Sequence, residues 1–551
     1  MTEEQVNAGD RPLLSTYESR NSVGCLKGLI SSLSGCIKGH AKCWEAFDSS
    51  WVPTRLIDIS EYKSIGKACL VSRDQIVAAL SSERDLRYTS LSHVWGSHKF
   101  LSLNTCNETG LSSGFPVSRL PETFQQAVYV TDSIGLRYLW IDSLCILQDS
   151  VEDWKSEASL MGKVYLNSFC TLAASLATRP TEGLFWDRHP ELANAFPVEF
   201  SHAHGYKRFA VFYDLQDLIL ERSALHKRGW VLQESYLSPR TIHFTKFPAF
   251  ECREMFACEN YRTAGTEDNA VTFRWLRHTS KTISRTEVFT YSDWFNIVYD
   301  YSRCSLTFIT DKLIALCGIA QAVSRSPAIG NEYHAGVWKY WWLQGLLWMV
   351  DQSSLGYEMY PIRYHQTYIA PSWSWASVEA AIQPWGPRNI ISQTFVELQG
   401  ISTVPINGDP FGQLSGGEIR FKDRLFALSQ FRQLAEADRS ELAAYAFSLD
   451  DGLVPDDVSL DDCDGDWTDD QTFFLPLVES PDYSTWHSEC SVCGLLLQFH
   501  WRGLETRRVF QRVGFAVISK ADGNVAGSGY HIDEWAAPPW REEDLEVIIS
   551  V

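Results

Sequence analysis

Basic residues are scarce in this chain. Its 551 residues include 48 Lys and Arg against 68 Asp and Glu, for a formal net charge of -20. Binding a nucleic-acid backbone takes clustered Lys and Arg, so this balance argues against an extended nucleic-acid footprint. A nucleotide-sized ligand held by backbone amides remains compatible with it. Long apolar runs are missing as well. The most apolar stretch, YWWLQGLLWMV (340–350), falls well short of the ~20 residues that a membrane helix needs. The opening MTEEQVNAGD is polar and acidic, unlike a signal peptide. A cytoplasmic protein with no membrane partner is therefore expected, its 14 Cys mostly buried thiols rather than a disulfide framework. Two signatures are also absent: Gly-x-x-x-x-Gly-Lys-Ser/Thr and Gly-x-Gly-x-x-Gly. Their absence sets aside P-loop NTPases and standard dinucleotide binding as first expectations. The one Gly-x-Ser-x-Gly, GLSSG (110–114), follows the polar LNTCNET rather than an apolar strand, so no nucleophile elbow of an α/β-hydrolase is read there.

Tryptophan, by contrast, is abundant, with 21 copies against 5 Met. Such aromatics supply large cores, and the length suggests two to four domains of ~150 residues each. No internal repeat is visible. Residues 1–87 read as a helical lead-in (VGCLKGLISSLSGCIKGHAKCW) followed by a short β segment, TRLIDIS, and linker. Residues 88–245 alternate strand and helix. YTSLSHVW, RYLWIDSLCIL, FCTLAAS and TIHFT read as strands. LPETFQQAVYVTDSIG, DSVEDWKSEASLMGKVYLNS and RGWVLQESYLSP read as helices, stopped at Gly135 in the first and at Pro239 in the last. Strands alternating with helices predict an α/β fold with a mostly parallel sheet. Residues 246–445 read as Trp-rich and mainly helical, with PSWSWASV (371–378) as a strand bearing both Trp on one face. The acidic run at 446–471 reads as a solvated loop, since its spacing does not fit a calcium loop. Residues 472–551 read as an antiparallel β cap.

Three blocks stand together in order: YTSLSHVWG, RYLWIDSLCILQDSVEDWKSEASLMGKVYLNS and RGWVLQESYLSPRTIHF. Jointly they resemble the fungal heterokaryon incompatibility (HET) domain, over about 155 residues. That family's pattern is roughly Tyr-x-x-Leu-Ser-Tyr-x-Trp-Gly, then Leu-Trp-Ile-Asp-Ala-Leu-Cys-Ile-x-Gln-Asp, then Gly-Trp-x-x-Gln-Glu. Three positions depart from it: His93 stands where the family usually has Tyr, Ser143 where it often has Ala, and Leu147 where it often has Asn. The resemblance implies a role in non-self recognition and programmed cell death. It also implies a core similar to TIR domains, a flavodoxin-like α/β module. Some TIR domains cleave NAD with a helix-borne Glu, and GWVLQE resembles that helix, with Glu234 in the matching place.

The residues themselves point to the same edge. Ligands of parallel sheets gather beyond the carboxyl ends of the strands. Ser92, His93, Trp95 and Gly96 are expected at the first strand exit, Asp142 and Ser143 at the second. Gly96 would let a backbone approach a ligand, and Trp95 could stack on a flat ring. Cleavage of an N-glycosidic bond passes through an oxocarbenium-like state, which a carboxylate stabilises. Glu234 is the candidate, with Arg228 for a phosphate and Trp230 and Gln233 as further binding residues. Each has a plainer alternative: core packing for Trp95 and Trp230, a turn cap for Asp142, an ion pair with Arg228 or Arg240 for Glu234, and structural hydrogen bonds for Gln233 and Gln148. Apart from this site, CIKGHAKC offers Cys36, His40 and Cys43, which on a helix would share one face and could meet zinc. Cys252, Cys258 or the Cys490-x-x-Cys493 pair could add a fourth ligand. Two functions follow as expectations: an NAD-cleaving cell-death effector, or an assembly module that binds like domains or an incompatibility partner without chemistry of its own.

Overall fold

A computed structural model describes residues 20–45, 47–48, 50–79, 86–97, 99–189, 196–202, 205–211, 223–258, 262–264, 289–326, 329–351, 367–384, 393–422, 425–427, 444–449, 472–481, 490–500, 509–519 and 546–550. The chain divides into two compact units, Met1–Phe289 with Ala315–Val323, and Thr290–Ile314 with Ser324–Val551. Of the stretch expected as an acidic loop (446–471), residues 446–449 instead end a strand, Ala444–Leu449, and 450–471 lie outside the described residues. No helix among the described residues is long and apolar enough to cross a membrane.

The first unit is built on one sheet. Its strands are β1 (Arg55–Asp58), β2 (Lys67–Ser72), β3 (Tyr88–Ser92), β4 (Phe115–Pro116), β5 (Tyr138–Ile141) and β6 (Cys170–Ala173). After β7 (Phe196–His202) and β8 (Gly205–Val211), which pair only with each other, it resumes with β9 (Arg240–His243), β10 (Ala249–Cys252), β11 (Met255–Ala257) and β12 (Arg262–Ala264). The spatial order is β12-β11-β10-β9-β6-β3-β5-β1-β2-β4. The centre, β9-β6-β3-β5, is parallel throughout, and antiparallel strands extend it on both sides. Counted along the chain, the parallel strands lie in the order second, first, third, fourth. This is the flavodoxin-like order, whose ligand crevice opens at the switch between first and third strands, here β3 and β6.

Burial explains why these segments are strands. Every residue of β3, β5, β6 and β9 is buried, as expected of parallel strands covered on both faces. The covering helices have clear ends. Helix α1 is Leu26–Gly39. Helix α2 (Glu122–Ile134) follows Pro121 and stops at Gly135, whose φ of 84° suits glycine. In α3 (Val151–Leu166) the Ser150 side chain accepts from the Asp153 amide, and Glu152 and Asp153 face the positive helix start. Helix α4 (Gly229–Leu237) ends just before Pro239. Helix α5 (Cys317–Val323) packs against α3 and α4. Gly162 and Gly318 make this approach close: a Cβ on Gly162 would lie 2.8 Å from the Gly318 Cα.

The α/β core matches the expected fold class, with two differences in extent. The segment expected as lead-in and linker supplies β1 and β2, and β1 inserts beside β5. Past residue 245 the sheet continues through β10, β11 and β12. The remaining stretch up to 445 is richer in strand than the helical expectation. PSWSWASV is not a strand: the Ser374 side chain accepts from the Ala376 amide and winds Trp375–Ser377 into a short 3-10 turn, with both Trp373 and Trp375 buried.

The second unit holds a helix, Tyr291–Ser302, capped reciprocally by Thr290 and Asp293. Its main sheet includes Glu397–Pro405, Leu414–Lys422, Thr472–Pro481, Cys490–His500, Val509–Ser519 and Glu546–Ser550, antiparallel save for one parallel pair between the last two. Much of the tryptophan lies here. Trp294 and Trp375 both donate to the Gly336 carbonyl at 3.1 Å, and Trp294 meets Trp338 edge to face. The buried Arg512 guanidinium lies over Trp348 and donates to the carbonyls of Leu346 and Trp348.

Candidate active site

The exits of β3 and β5 are stitched together by one carboxylate. Asp142 follows β5 and opens the short helix Asp142–Cys145. Its Oδ1 accepts from the Ser143 amide at 2.6 Å, the local cap that an Asp at a strand exit readily makes. Its Oδ2 accepts from the Trp95 indole Nε1 at 2.7 Å. Trp95 is thereby held over the end of the neighbouring strand. Gly96 follows with a φ of 65°, and a Cβ there would come within 3.1 Å of the Arg179 Cβ and 3.4 Å of the Thr178 carbonyl. The tight backbone approach expected at Gly96 therefore exists, but its partner is the 178–179 segment of the chain itself.

His93 lies beneath Trp95. The two rings are nearly parallel with centroids 6.3 Å apart, and Phe124 meets the imidazole edge to face at 4.9 Å. The His93 Nδ1 is 3.6 Å from the Asp142 Oδ1, and neither ring nitrogen completes a hydrogen bond among the described residues. Burial pushes the His93 pKa down to about 4; Asp142 opposes this shift and Arg228 adds to it. The imidazole is neutral at physiological pH, a packed ring with one side toward a carboxylate.

Glu234 approaches the same place from α4. Only 6% of the residue is exposed. Burial raises its pKa to about 7 against the opposing pull of Ser92, Arg228 and the Tyr165 hydroxyl, while Asp142 adds to the rise. The Ser92 hydroxyl stands close enough to favour the anion yet completes no hydrogen bond, and Oε2 of Glu234 also has no partner among the described residues. Glu234 forms no ion pair with Arg228 or Arg240, the plainer role expected for it. Arg228 caps the start of α4 and donates from Nη1 to the His93 carbonyl. Arg240 lies at the opposite, amino end of its strand, where it reaches the Phe169 carbonyl.

Hydroxyls fix this geometry from below. Ser90 bonds Thr171 at 2.8 Å, Thr171 bonds Ser238 at 2.6 Å, and Ser238 donates to the Glu234 carbonyl at 2.7 Å. The Ser-rich character of β3 thus has two uses. Ser90 ties β3 through β6 to the end of α4, and Ser92 faces the carboxyl that α4 carries.

The other candidates separate. Ser143 is fully buried, and its carbonyl accepts from the Leu103 amide. Trp230 shares a helix face with Glu234 by its spacing and packs edge to face on Trp154. Gln233 turns away from the strand exits: its Oε1 accepts from the Gly318 amide at 2.6 Å, which makes it a tie between α4 and α5. Gln148 donates to the carbonyls of Ile146 and Asp142, also a structural bond. Cys36, His40 and Cys43 do come together, but at the amino ends of the parallel strands, away from this site.

One arrangement escaped the sequence. At the exits of β6 and β9, Ser175 Oγ lies 3.3 Å from His243 Nδ1, and His243 Nε2 lies 2.8 Å from Glu251 Oε2. Ser175 and His243 are at most 1% exposed, so the relay ties strand ends rather than presenting a nucleophile. Only strand pairing brings Glu251 opposite Thr241, next to His243, and no local motif signals it.

Residues 88–234 match the family described as Heterokaryon incompatibility protein (HET), about a quarter of the chain, starting at β3 and ending on Glu234. No curated protein and no solved structure matches the chain.

Proposed function

Residues 88–234 are a heterokaryon incompatibility domain, and we propose that this domain promotes cell death in fungal non-self recognition by cleaving NAD at the nicotinamide–ribose bond. A buried carboxyl with no hydrogen-bond partner at one oxygen among the described residues, beyond the carboxyl ends of parallel strands, carries this reading. Leaving a buried polar atom unpaired costs stability, and such groups concentrate where chemistry uses them.

The chemistry follows from the charge on each group. With its pKa near 7, Glu234 is half-protonated at neutral pH. The nicotinamide ring of NAD is a cation, and a cation beside the carboxyl favours its ionised form. As the C1′–N bond breaks, its electron pair leaves with nicotinamide and positive charge develops on the ribose. The Glu234 carboxylate stabilises that charge and can accept a ribose hydroxyl. Water then adds its oxygen to C1′ and releases a proton. Trp95, oriented by Asp142, offers a flat face, and Arg228 offers a cation for the pyrophosphate. Substrate entry requires the cover over Glu234 to open.

The second reading is an assembly module that signals by self-association or by binding an incompatibility partner. The closed state of Glu234 favours it, as do the exposed Val23 and Tyr129, which line a shallow apolar hollow with Leu26 and Ile30. Induced expression in fungal cells separates the two. Under the enzymatic reading, wild-type protein depletes cellular NAD before viability falls, and Glu234→Gln does neither. Death without NAD loss, undiminished in Glu234→Gln, would leave only the assembly module.

A further inference from the structure

The cysteines and histidine of CIKGHAKC meet a fourth donor from the sheet. Cys36 lies in the last turn of α1. The helix ends at Gly39, and His40 takes an extended conformation with φ -105° and ψ 104°. A short turn, Lys42–Trp44, then carries Cys43. The bend, not a continuous helix face as the spacing suggested, turns these three side chains inward. Cys252, the last residue of β10, completes the group. The three Sγ atoms and one imidazole nitrogen all lie within 4.8 Å of one another, and His40 Nδ1 is 3.2 Å from Cys252 Sγ. Cys36 and Cys43 are 0% exposed and Cys252 3%. Around an ion with Zn–S bonds of about 2.3 Å, tetrahedral S–S edges are about 3.8 Å. The donors thus stand within about 1 Å of that geometry.

We propose that Cys36, His40, Cys43 and Cys252 bind one zinc ion in a closed structural site. Thiolates with an imidazole select a soft or borderline metal, and four protein donors leave no open position for substrate.

The surroundings supply a second, independent argument. Arg240 is 0% exposed and has no carboxylate partner among the described residues. It donates from Nε to Cys36 Sγ at 3.3 Å and lies 4.2 Å above the Trp44 ring. A buried guanidinium needs a counter-charge. Three thiolates on a divalent cation carry one net negative charge, which matches it. The ligand turn is also clamped at both backbone polar groups of Lys42: its amide donates to Glu254 at 2.8 Å, and its carbonyl accepts from Arg253 at 3.0 Å. Outer bonds of this kind hold metal ligands in place. The ion would fasten α1 to the sheet across 212 residues of sequence, at the edge remote from Glu234.

The test is zinc content of the full chain, purified without chelator from zinc-supplemented medium. Wild type should hold about one zinc per chain and release it as a mercurial titrates the thiols. Cys252→His, which keeps a fourth donor, should retain about one zinc, and Cys252→Ala less than about a tenth of that. Wild type reloaded with Co2+ should show the visible absorption of a tetrahedral thiolate site, a result that stands even where Cys252→Ala does not fold. Folded, reduced wild type that neither carries zinc nor takes up Zn2+ or Co2+ would overturn the proposal. So would full zinc content in Cys252→Ala, or an intact mass showing two of the three cysteines joined as a disulfide.

Discussion

Replacing Glu234 with Gln should stabilise the fold above neutral pH and leave it unchanged in acid. The Glu234 pKa rises from an ordinary 4.5 to about 7 because the carboxyl is buried. Below pH 4.5 the folded and unfolded chains both hold the proton, so the group exerts no penalty. As pH rises, the unfolded chain ionises first, and stability is lost progressively until the folded carboxyl ionises too, near 7. At about 1.36 kcal/mol per pKa unit, the total loss is about 3 kcal/mol. Gln has nearly the same shape and no charge, so Glu234→Gln should recover up to about 3 kcal/mol at pH 8 and nothing at pH 4.5. Hydrogen exchange in peptides spanning Gly229–Leu237 reads this locally, without mixing the two units. Corrected for intrinsic rates, exchange at pH 8 should slow by on the order of a hundredfold in the variant. Faster exchange in Glu234→Gln at pH 8, or a difference that does not change with pH, would refute the reasoning. A residue whose removal stabilises the fold and abolishes activity is one kept for function rather than for stability.

Other substitutions probe the frame around it. His93 has its pKa lowered from 6.5 to about 4, so its contribution is present above 6.5 and lost as pH falls through 4. His93→Tyr, the residue usual in the resembled family, does not titrate there and should reduce acid destabilisation by up to about 3 kcal/mol, read as thermal midpoints at pH 4.5 and 7. Asp142→Ala leaves the Trp95 indole and the Ser143 amide without their acceptor and should cost about 2 kcal/mol or more in urea unfolding, whereas Asp142→Asn should recover part of it. Gly318→Ala places a Cβ 2.5 Å from Gln233 Oε1 and 2.8 Å from the Gly162 Cα, and should destabilise the first unit by about 2 kcal/mol in the same assay.

The parallel core was legible because its signals are local. YLWI is buried on both faces and reads as a continuous apolar run, and Pro121, Gly135 and Ser150 mark helix ends within a turn of where they stand. What could not be read depends on partners distant in sequence. TRLIDIS gives no sign that it inserts beside β5, since strand pattern specifies a face and not a neighbour. Cys252 was one of several candidate fourth ligands, and only the pairing of β10 with β9 singles it out. The Trp-Ser alternation of 371–378 has strand spacing, but the Ser374 hydroxyl prefers a local backbone amide and makes a turn. At the candidate site, the strand-exit residues were legible from their position alone. The closure over Glu234 and the buried bond from Gln233 to Gly318 arise from how α3, α4 and α5 pack, which a helix pattern does not record.

The most direct test of the central claim is release of nicotinamide from NAD by the purified full chain, concentrated to favour assembly, with Glu234→Gln beside it. Wild type should form nicotinamide and ADP-ribose in equal amounts, and the variant, folded and no less stable, should form neither. Equal turnover by both proteins, or none by wild type under conditions where it kills cells, would contradict the account.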